Sequence, residues 1–298
     1  MMFLDEEKVR ALLRMEELVP TMADALRELS AGKVEQPMRL VLPVAEHQGF
    51  FGVMPAYGGA LGAKMVTFYP NNQGIPTHHA IIMLFRPETG EPLVTMDGRL
   101  ITEMRTAAVS AVATDHLART DTPVLAILGS GVQAQSHLEA LRIVRKFREV
   151  RVWSPRHARE FARKFGVSAA ASAEEAVRGA DVIVVATSAT TPVLRGEWLS
   201  SGAHINAVGA TRPNWRELDD ELLRKARIYV ESREAAMKES GDIIAAGNIF
   251  AEVGEVVAGS KPGRQSDDET TLYKSVGVAI EDIRSADLVY RRALAGGR

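Results

Sequence analysis

The chain has 298 residues, 46% hydrophobic and 25% charged, with 36 Lys and Arg against 38 Asp and Glu for a net charge of -2. That length accommodates one large or two modest domains, and the near-neutral balance gives no bulk attraction for nucleic acid or an anionic membrane. The lack of cysteine excludes disulfides, thiol nucleophiles and cysteine metal sites, and Asp5, Glu6 and Glu7 stand where a signal peptide needs a basic then apolar run, so a cytoplasmic protein with no membrane span is expected.

Residues 5–31 predict two packing helices, from the helical spacing of Val9, Leu12 and Leu13 and then of Met22, Ala25, Leu26 and Leu29, with Pro20 as a start signal and Gly32 as a stop. From Met38 to about Asp97 short extended runs follow (RLVLPV, GFFGVMP, AKMVTFYP, HAIIMLF, EPLVTMD), broken by Gly, Pro and Asn, which predicts a meandering, largely antiparallel sheet. Thr102 is expected to cap a helix carrying Met104, Ala107, Ala108, Ala111 and Val112. Beyond Pro123 apolar strands alternate with helices: VLAIL, a helix to about Phe147, VRVW, a helix to Phe165, a short VSAA, a helix opened by a Ser172–Glu175 capping box and closed by Gly179, DVIVVAT, HINAVG and RIYV. That rhythm predicts a doubly wound parallel sheet covered on both faces. The last segment, LYKSVGVAIEDIRSADLVYRRAL, reads as a short strand entering a helix that frays at Gly296-Gly297.

The stretch LAILGSGVQAQ sits at a strand-to-helix junction opening this series. A dinucleotide needs Gly129 to turn tightly, Gly131 to let the backbone approach the pyrophosphate, and a small third residue, here Ala134, for close packing of helix on strand. The phosphates would meet the N-terminus of the helix starting at Val132. A loop that merely needs glycine flexibility is the plainer reading, but small polar ends at Thr187-Ser188 and Val208-Gly209, after later strands, argue against it. After the second strand, VRVWSPRHAR offers Trp153 and Ser154 where an acidic residue would hold ribose hydroxyls. Ser154 and Arg156 could instead hold a 2′-phosphate, which favours NADP(H) over NAD(H), with a solvated basic helix start as the alternative.

Three cations fall in strand or helix-entry segments of the first half: Arg39, Lys64 and Arg105. Lys64 alternates with Val66 and Phe68, so it faces an apolar side, where a lysine needs a partner or an anionic ligand. Arg105, in the expected first turn after Thr102, opposes the helix dipole. An arriving carboxylate would relieve both conflicts; pairing with Asp97, Glu103 or other carboxylates would do so equally. His78 and His79 lie near a strand start, and no HxxxH or HExxH spacing points to a metal.

Five motifs together resemble the ornithine cyclodeaminase and mu-crystallin family: RTAAVSAVAT, ILGSGVQAQSH, GAHINAVGATRPNWRELDDELL, ESGDI and YKSVG. The likeness runs from near residue 5 to about 290. It implies a homodimer whose first domains pair their sheets, and an α/β chain with two domains. A substrate-binding and dimerisation domain would hold residues 1–113 plus 276–298, and a Rossmann domain residues 114–275, with the active site in the cleft between them. Carried over by position, Arg39, Lys64 and Arg105 would hold the substrate carboxylate or polarise its nitrogen, and Thr77 and His78 lie in PTHHA, similar to a substrate-side segment of mu-crystallins. Gly129, Ser130, Gly131, Val132, Gln133, Ser154, Arg156, Thr187, Ser188, Val208 and Ser275 would surround the cofactor.

One departure bears on chemistry. The cyclodeaminases and alanine dehydrogenases of the family carry an Asp where this chain has Thr211, and a threonine hydroxyl cannot serve as a base near neutral pH. The replacement and the RPNWRELDDEL that follows resemble mu-crystallins, which are ketimine reductases. The expected activity is therefore NAD(P)H-dependent reduction of a small cyclic imino acid, a pyrroline or piperideine 2-carboxylate, with Lys64 near the imine and Thr211 ordering a water or the ring. Ornithine cyclodeaminase, alanine dehydrogenase and a non-catalytic small-ligand binder are the alternatives.

Overall fold

A computed structural model describes residues 1–296; Gly297 and Arg298, which include part of the expected frayed end, lie outside the described residues. The chain divides into two compact units, one of Met1–Arg105 with the segment from Val278 onward, the other of Thr106–Gly277.

In chain order the first unit begins with β1 (Met2–Leu4), α1 (Glu6–Leu12) and α2 (Met15–Ser30), followed by β2 (Leu40–Val44), β3 (Gly49–Tyr57), β4 (Leu61–Phe68), β5 (His78–Phe85) and β6 (Pro92–Asp97); helix α3 (Arg99–Leu117) opens at its edge. Asp5 caps α1 by accepting the Lys8 N–H. Helix α2 begins at Met15, so Pro20 lies inside it rather than starting it. The missing N–H costs one helical bond. The fully buried stripe Leu18, Met22, Ala25 and Leu26 outweighs that loss.

Helix α3 also starts earlier than Thr102 suggests. Asp97 Oδ1 accepts the Arg99 and Leu100 N–H groups at 3.0 and 3.4 Å, and Thr102 instead turns its hydroxyl back onto the Gly98 carbonyl at 2.8 Å. Arg105 is thus in the second turn, where the helix dipole acts on it weakly.

The second unit contains β7 (Val124–Leu128), α4 (Val132–Val144), β8 (Glu149–Trp153), α5 (Ala158–Phe165), β9 (Ser168–Ala169), α6 (Ala173–Val177), β10 (Val182–Val185), β11 (His204–Ala207), α7 (Asp220–Lys225), β12 (Arg227–Val230), α8 (Arg233–Glu239), α9 (Gly241–Ala246), β13 (Ala251–Glu252), α10 (Val253–Val257) and β14 (Thr271–Lys274). The chain ends in α11 (Ala279–Gly296), which belongs to the first unit. The expected capping box at α6 is half formed: Ser172 accepts the Glu175 N–H at 3.0 Å, but the Glu175 carboxylate takes the Ala171 N–H.

The first sheet runs β1-β6-β5-β4-β3-β2 and is antiparallel except for β1, which pairs parallel with β6. The register places Met54, Lys64, Ile82 and Met96 side by side on one face, and α11 covers it with α2 packed against α11. The opposite face carries Leu40, Val53, Met65 and Ile81 in one register row and Met83 two residues on, with no helix over it among the described residues of this unit, and Leu40 and Ile81 are exposed there. The second sheet is parallel throughout, in the order β13-β12-β14-β11-β10-β7-β8-β9. Its central strands are buried on both sides, as VIVV and HINA show residue for residue, which is the signature of a sheet with helices on both faces. Strand order reverses at the β7–β10 pair. Ligands of such sheets bind at the carboxyl ends beside that reversal.

Candidate active site

At the carboxyl ends of β7, β8 and β10 the second unit has a groove of about 570 Å³. It is lined by Gly129, Ser130, Gly131, Val132 and Gln133 from the first turn, by Ser154 and Arg156 after β8, and by Thr187 and Ser188 after β10. Val208 and Ser275 are not among its lining residues. Val208 follows β11, its N–H bonded to the Val185 carbonyl, and Ser275 is buried after β14 with its hydroxyl donated to Glu231 at 2.6 Å.

The backbone explains why glycine occupies two positions here. Gly129 has φ +120°, and a Cβ there would lie 2.2 Å from the Ala186 carbonyl oxygen. At Gly131 an added Cβ would meet nothing within 4 Å, so the space in front of it is open to a ligand. Gly131 is also the N-cap of α4 with no side-chain cap, which leaves first-turn N–H groups for an anion. Buried His137 steadies that turn: its Nδ1 donates to the Gln133 carbonyl at 2.7 Å, so its Nε2 accepts from the Ser110 hydroxyl at 2.9 Å. Burial pulls its pKa down to about 4 and keeps the ring neutral. Ser130 donates to Ser154 Oγ at 2.9 Å, joining the glycine turn to the end of β8, and Arg156 beside it is exposed. These features suit a dinucleotide, with the pyrophosphate at α4 and the adenosine ribose toward Ser154 and Arg156.

In the first unit, Arg39, Lys64, Arg105 and His78 form one electrostatic neighbourhood, since Arg39 and Arg105 both act on Lys64, and Lys64 and Arg105 both act on His78. Thr77 precedes β5, its carbonyl accepting the Tyr69 N–H. Lys64 is 2% and Arg105 5% exposed. Asp97 and Glu103 are not what compensates them. Asp282, in the first turn of α11, accepts from Lys64 Nζ at 2.5 Å and from Arg105 Nε at 3.0 Å, and Glu281 accepts from Arg105 Nη1 at 2.7 Å. Lys64 and Arg105 are therefore already paired, which narrows their expected role as ligand anchors.

Burial pulls the Lys64 pKa down to about 8, assisted by Arg105 and Arg39 and opposed by Asp282. For Asp282 burial pushes up, but the Arg105 and Lys64 charges and hydrogen bonds override it and hold the carboxyl below its usual range. His78 is driven down to about 4, first by burial and then by the Lys64 charge, so it offers a neutral imidazole. Thr211 is exposed and follows Ala210, whose φ of +50° is a strained setting for a non-glycine residue.

Sequence reading missed Glu281 and Asp282. Acids in the first turn of a helix are ordinarily solvent-facing partners of its dipole, and the one signal against that was their position between Ile280 and Ile283 in an apolar run. Removing one partner of a buried pair costs about 3–5 kcal/mol. Asp282→Asn is expected to lower unfolding free energy by about that amount in a denaturant titration; a loss under about 1 kcal/mol would show that Lys64 and Arg105 do not depend on it.

A family model described as the ornithine cyclodeaminase/mu-crystallin family matches residues 1–297. The chain is 51% identical to a ketimine reductase mu-crystallin of Mus musculus, over 97% of this chain and 96% of that protein. It is similar to the solved structure of Thermococcus litoralis Δ1-pyrroline-2-carboxylate reductase in complex with NADH and L-proline, with a TM-score of 0.94 and 41% identity over 100% of this chain and 98% of that one. An archaeal alanine dehydrogenase dimer with bound NAD gives a TM-score of 0.94 and 38% identity over 100% and 97% of the two chains. This chain belongs to the ornithine cyclodeaminase/mu-crystallin family.

Proposed function

We propose that the protein is an NAD(P)H-dependent reductase of cyclic ketimines, converting a pyrroline or piperideine 2-carboxylate to the saturated cyclic amino acid. The observation that carries the reading is the pair of buried cations Lys64 and Arg105, with Arg39 acting on Lys64 and neutral His78 beside them, which suits a small carboxylate. The names of the Mus musculus and Thermococcus litoralis relatives support it.

When bound, the reduced nicotinamide supplies the hydride that adds to the imine carbon. The rest of the reaction falls to this chain's residues. Arg39 and Arg105 hold the substrate carboxylate. Lys64, with one of its three N–H bonds on Asp282, directs another to the imine nitrogen and favours its protonated, electrophilic form. Neutral His78 and Thr77 supply hydrogen-bonding groups that add no charge. Thr211 has no carboxylate to take a proton from an amine or water, so the site orients an imine already formed rather than making one by deamination. Arg156 and Ser154 favour NADP(H), with Arg156 exposed to receive a 2′-phosphate.

The partner is a second copy of this chain. The face of the first sheet that no described helix covers presents Leu40, Leu42 and Ile81 at 65%, 57% and 44% exposure, with Phe3 at 64% on the same face. A continuous apolar face of this kind is rarely left to water. The archaeal alanine dehydrogenase relative is a dimer. Among the described residues no helix is long and apolar enough to cross a membrane, and we place the protein in the cytoplasm, where reduced nicotinamide is regenerated.

Purified protein is expected to oxidise NADPH, and NADH more slowly, with at least one of the two ketimines, and Lys64→Met should abolish turnover while leaving coenzyme binding intact. Lys64 is protonated below a pKa of about 8, so kcat/KM should fall as pH rises through that value. No oxidation with either imine, or NADH formation from alanine or proline formation from ornithine in its place, would overturn the reading. By sedimentation velocity the wild type should be dimeric and Ile81→Glu monomeric; a monomeric wild type would contradict the pairing of sheets.

A further inference from the structure

A second buried charge cluster lies behind the rim of the groove, and the proposed chemistry does not use it. Glu217 precedes α7, Asp242 lies in α9 and Lys274 ends β14, all with no exposure. Glu217 Oε1 accepts both the N–H and the hydroxyl of Thr187, at 2.9 and 2.6 Å. The same Thr187 oxygen takes the Ala189 N–H at 3.1 Å. Lys274 donates to the Gly209 carbonyl and lies 3.7 Å from Asp242 Oδ2. Asp242 Oδ1 in turn accepts the Glu217 and Leu218 N–H groups at 3.1 and 3.2 Å. The loop after β10 and the loop after β11 are thus fastened to one charged block.

The fit is close. A Cβ on Gly209 would lie 2.4 Å from Glu217 Oε1 and 2.4 Å from the Thr187 carbonyl oxygen. Next to it stands the strained Ala210, held at φ +50°. Glu217 Oε2 and Asp242 Oδ2 are buried with no hydrogen-bond partner among the described residues. A fold that needed only an acceptor for Thr187 would be served by an uncharged amide, because a buried carboxylate oxygen without a donor is costly.

We propose that Glu217 is a positioning residue for the dinucleotide: it clamps Thr187 against Gly209 at the groove, and its ionisation state sets how well the groove accepts a dianionic pyrophosphate. The inference rests on the dinucleotide reading above. Thr187 lines the groove directly, so displacement of Glu217 reaches a bound ligand through it. The charged groups facing Glu217 are Lys274 from β14 and Asp242 from α9, with Arg216 Nε 3.9 Å from Asp242. Burial pushes the Glu217 pKa up to about 7, Asp242 adds to the rise, and Lys274 and the Thr187 bonds oppose it. The folded value lies above the usual 4.5, so stability from this group is present at low pH and lost as pH rises through about 7. An anionic ligand favours the protonated form, so its affinity should fall over the same window.

The test measures NADPH and NADH dissociation constants by fluorescence from about pH 6 to about pH 8.5 for the wild type, Glu217→Gln and Glu217→Ala. In parallel, amide hydrogen exchange of residues 186–189 and 208–211 is followed without coenzyme. The wild-type dissociation constant should rise several-fold with pH. Glu217→Gln, which keeps an acceptor but cannot ionise, should be flat with pH and exchange slowly in both loops. Glu217→Ala should weaken NADH and speed exchange in both loops by about tenfold or more. A Glu217→Gln profile with the wild-type slope, or Glu217→Ala exchange at the wild-type rate, overturns the proposal alone. A wild type that binds neither NADPH nor NADH at any pH overturns it together with the dinucleotide reading.

Discussion

Much of the first unit turns on the contact between Lys64 and Asp282. Lys64 points from the middle of a six-stranded sheet into the side covered by the last helix, where an unpaired ammonium would be driven to lose its proton. Asp282 arrives from that helix and supplies the missing charge, and the same carboxylate bonds Arg105. Helix α11 is therefore both a lid on the apolar core, through buried residues such as Ile283, and the source of the acids that let two cations stay buried. A replacement of either function alone would leave the other without support.

The pairing also sets the chemical character of the cluster. Were Lys64 and Arg105 free, the neighbourhood would bind any anion strongly and indiscriminately; Asp282 and Glu281 offset much of that pull. Such a site holds one small carboxylate without turning into a phosphate trap. The lowered Lys64 pKa follows from the same balance, since burial and the two arginines push toward the neutral form and Asp282 restrains it. In the second unit the demand is geometric rather than ionic: Gly129 needs a positive φ and Gly131 needs an empty approach, and uncapped N–H groups at α4 offer the anion its partners.

The second unit was largely legible in the sequence because its strands are apolar runs closed by glycine or small polar residues, and LAILGSGVQAQ shows both the strand and the turn that follows it. The first unit was legible as a meander but not at its ends. Strand β1 has three residues, too few for a period, and α2 begins after Arg14, which offers no side-chain cap to read. Thr102 looked like a cap because it precedes an apolar run, yet Asp97, read as the end of a strand, holds that post. The candidate cations were visible from Lys64's place among apolar neighbours. Their partners were not, because Asp282 lies 218 positions from Lys64 and 177 from Arg105, and no local pattern distinguishes a buried first-turn acid from an exposed one. Glu217, Asp242 and Lys274 stand within motifs that carry the family likeness, but their mutual contacts, such as that of Glu217 with Asp242 25 positions on, follow no local pattern.

The central claim is that the cations around Lys64 recognise a carboxylate on a small planar ring. Calorimetric titration with pyrrole-2-carboxylate and with pyrrole-2-carboxamide, two rings of nearly equal shape differing in charge, addresses it most directly. The account predicts that the acid binds at least about tenfold more tightly than the amide. Equal affinity for the two, or preference for the amide, would contradict it.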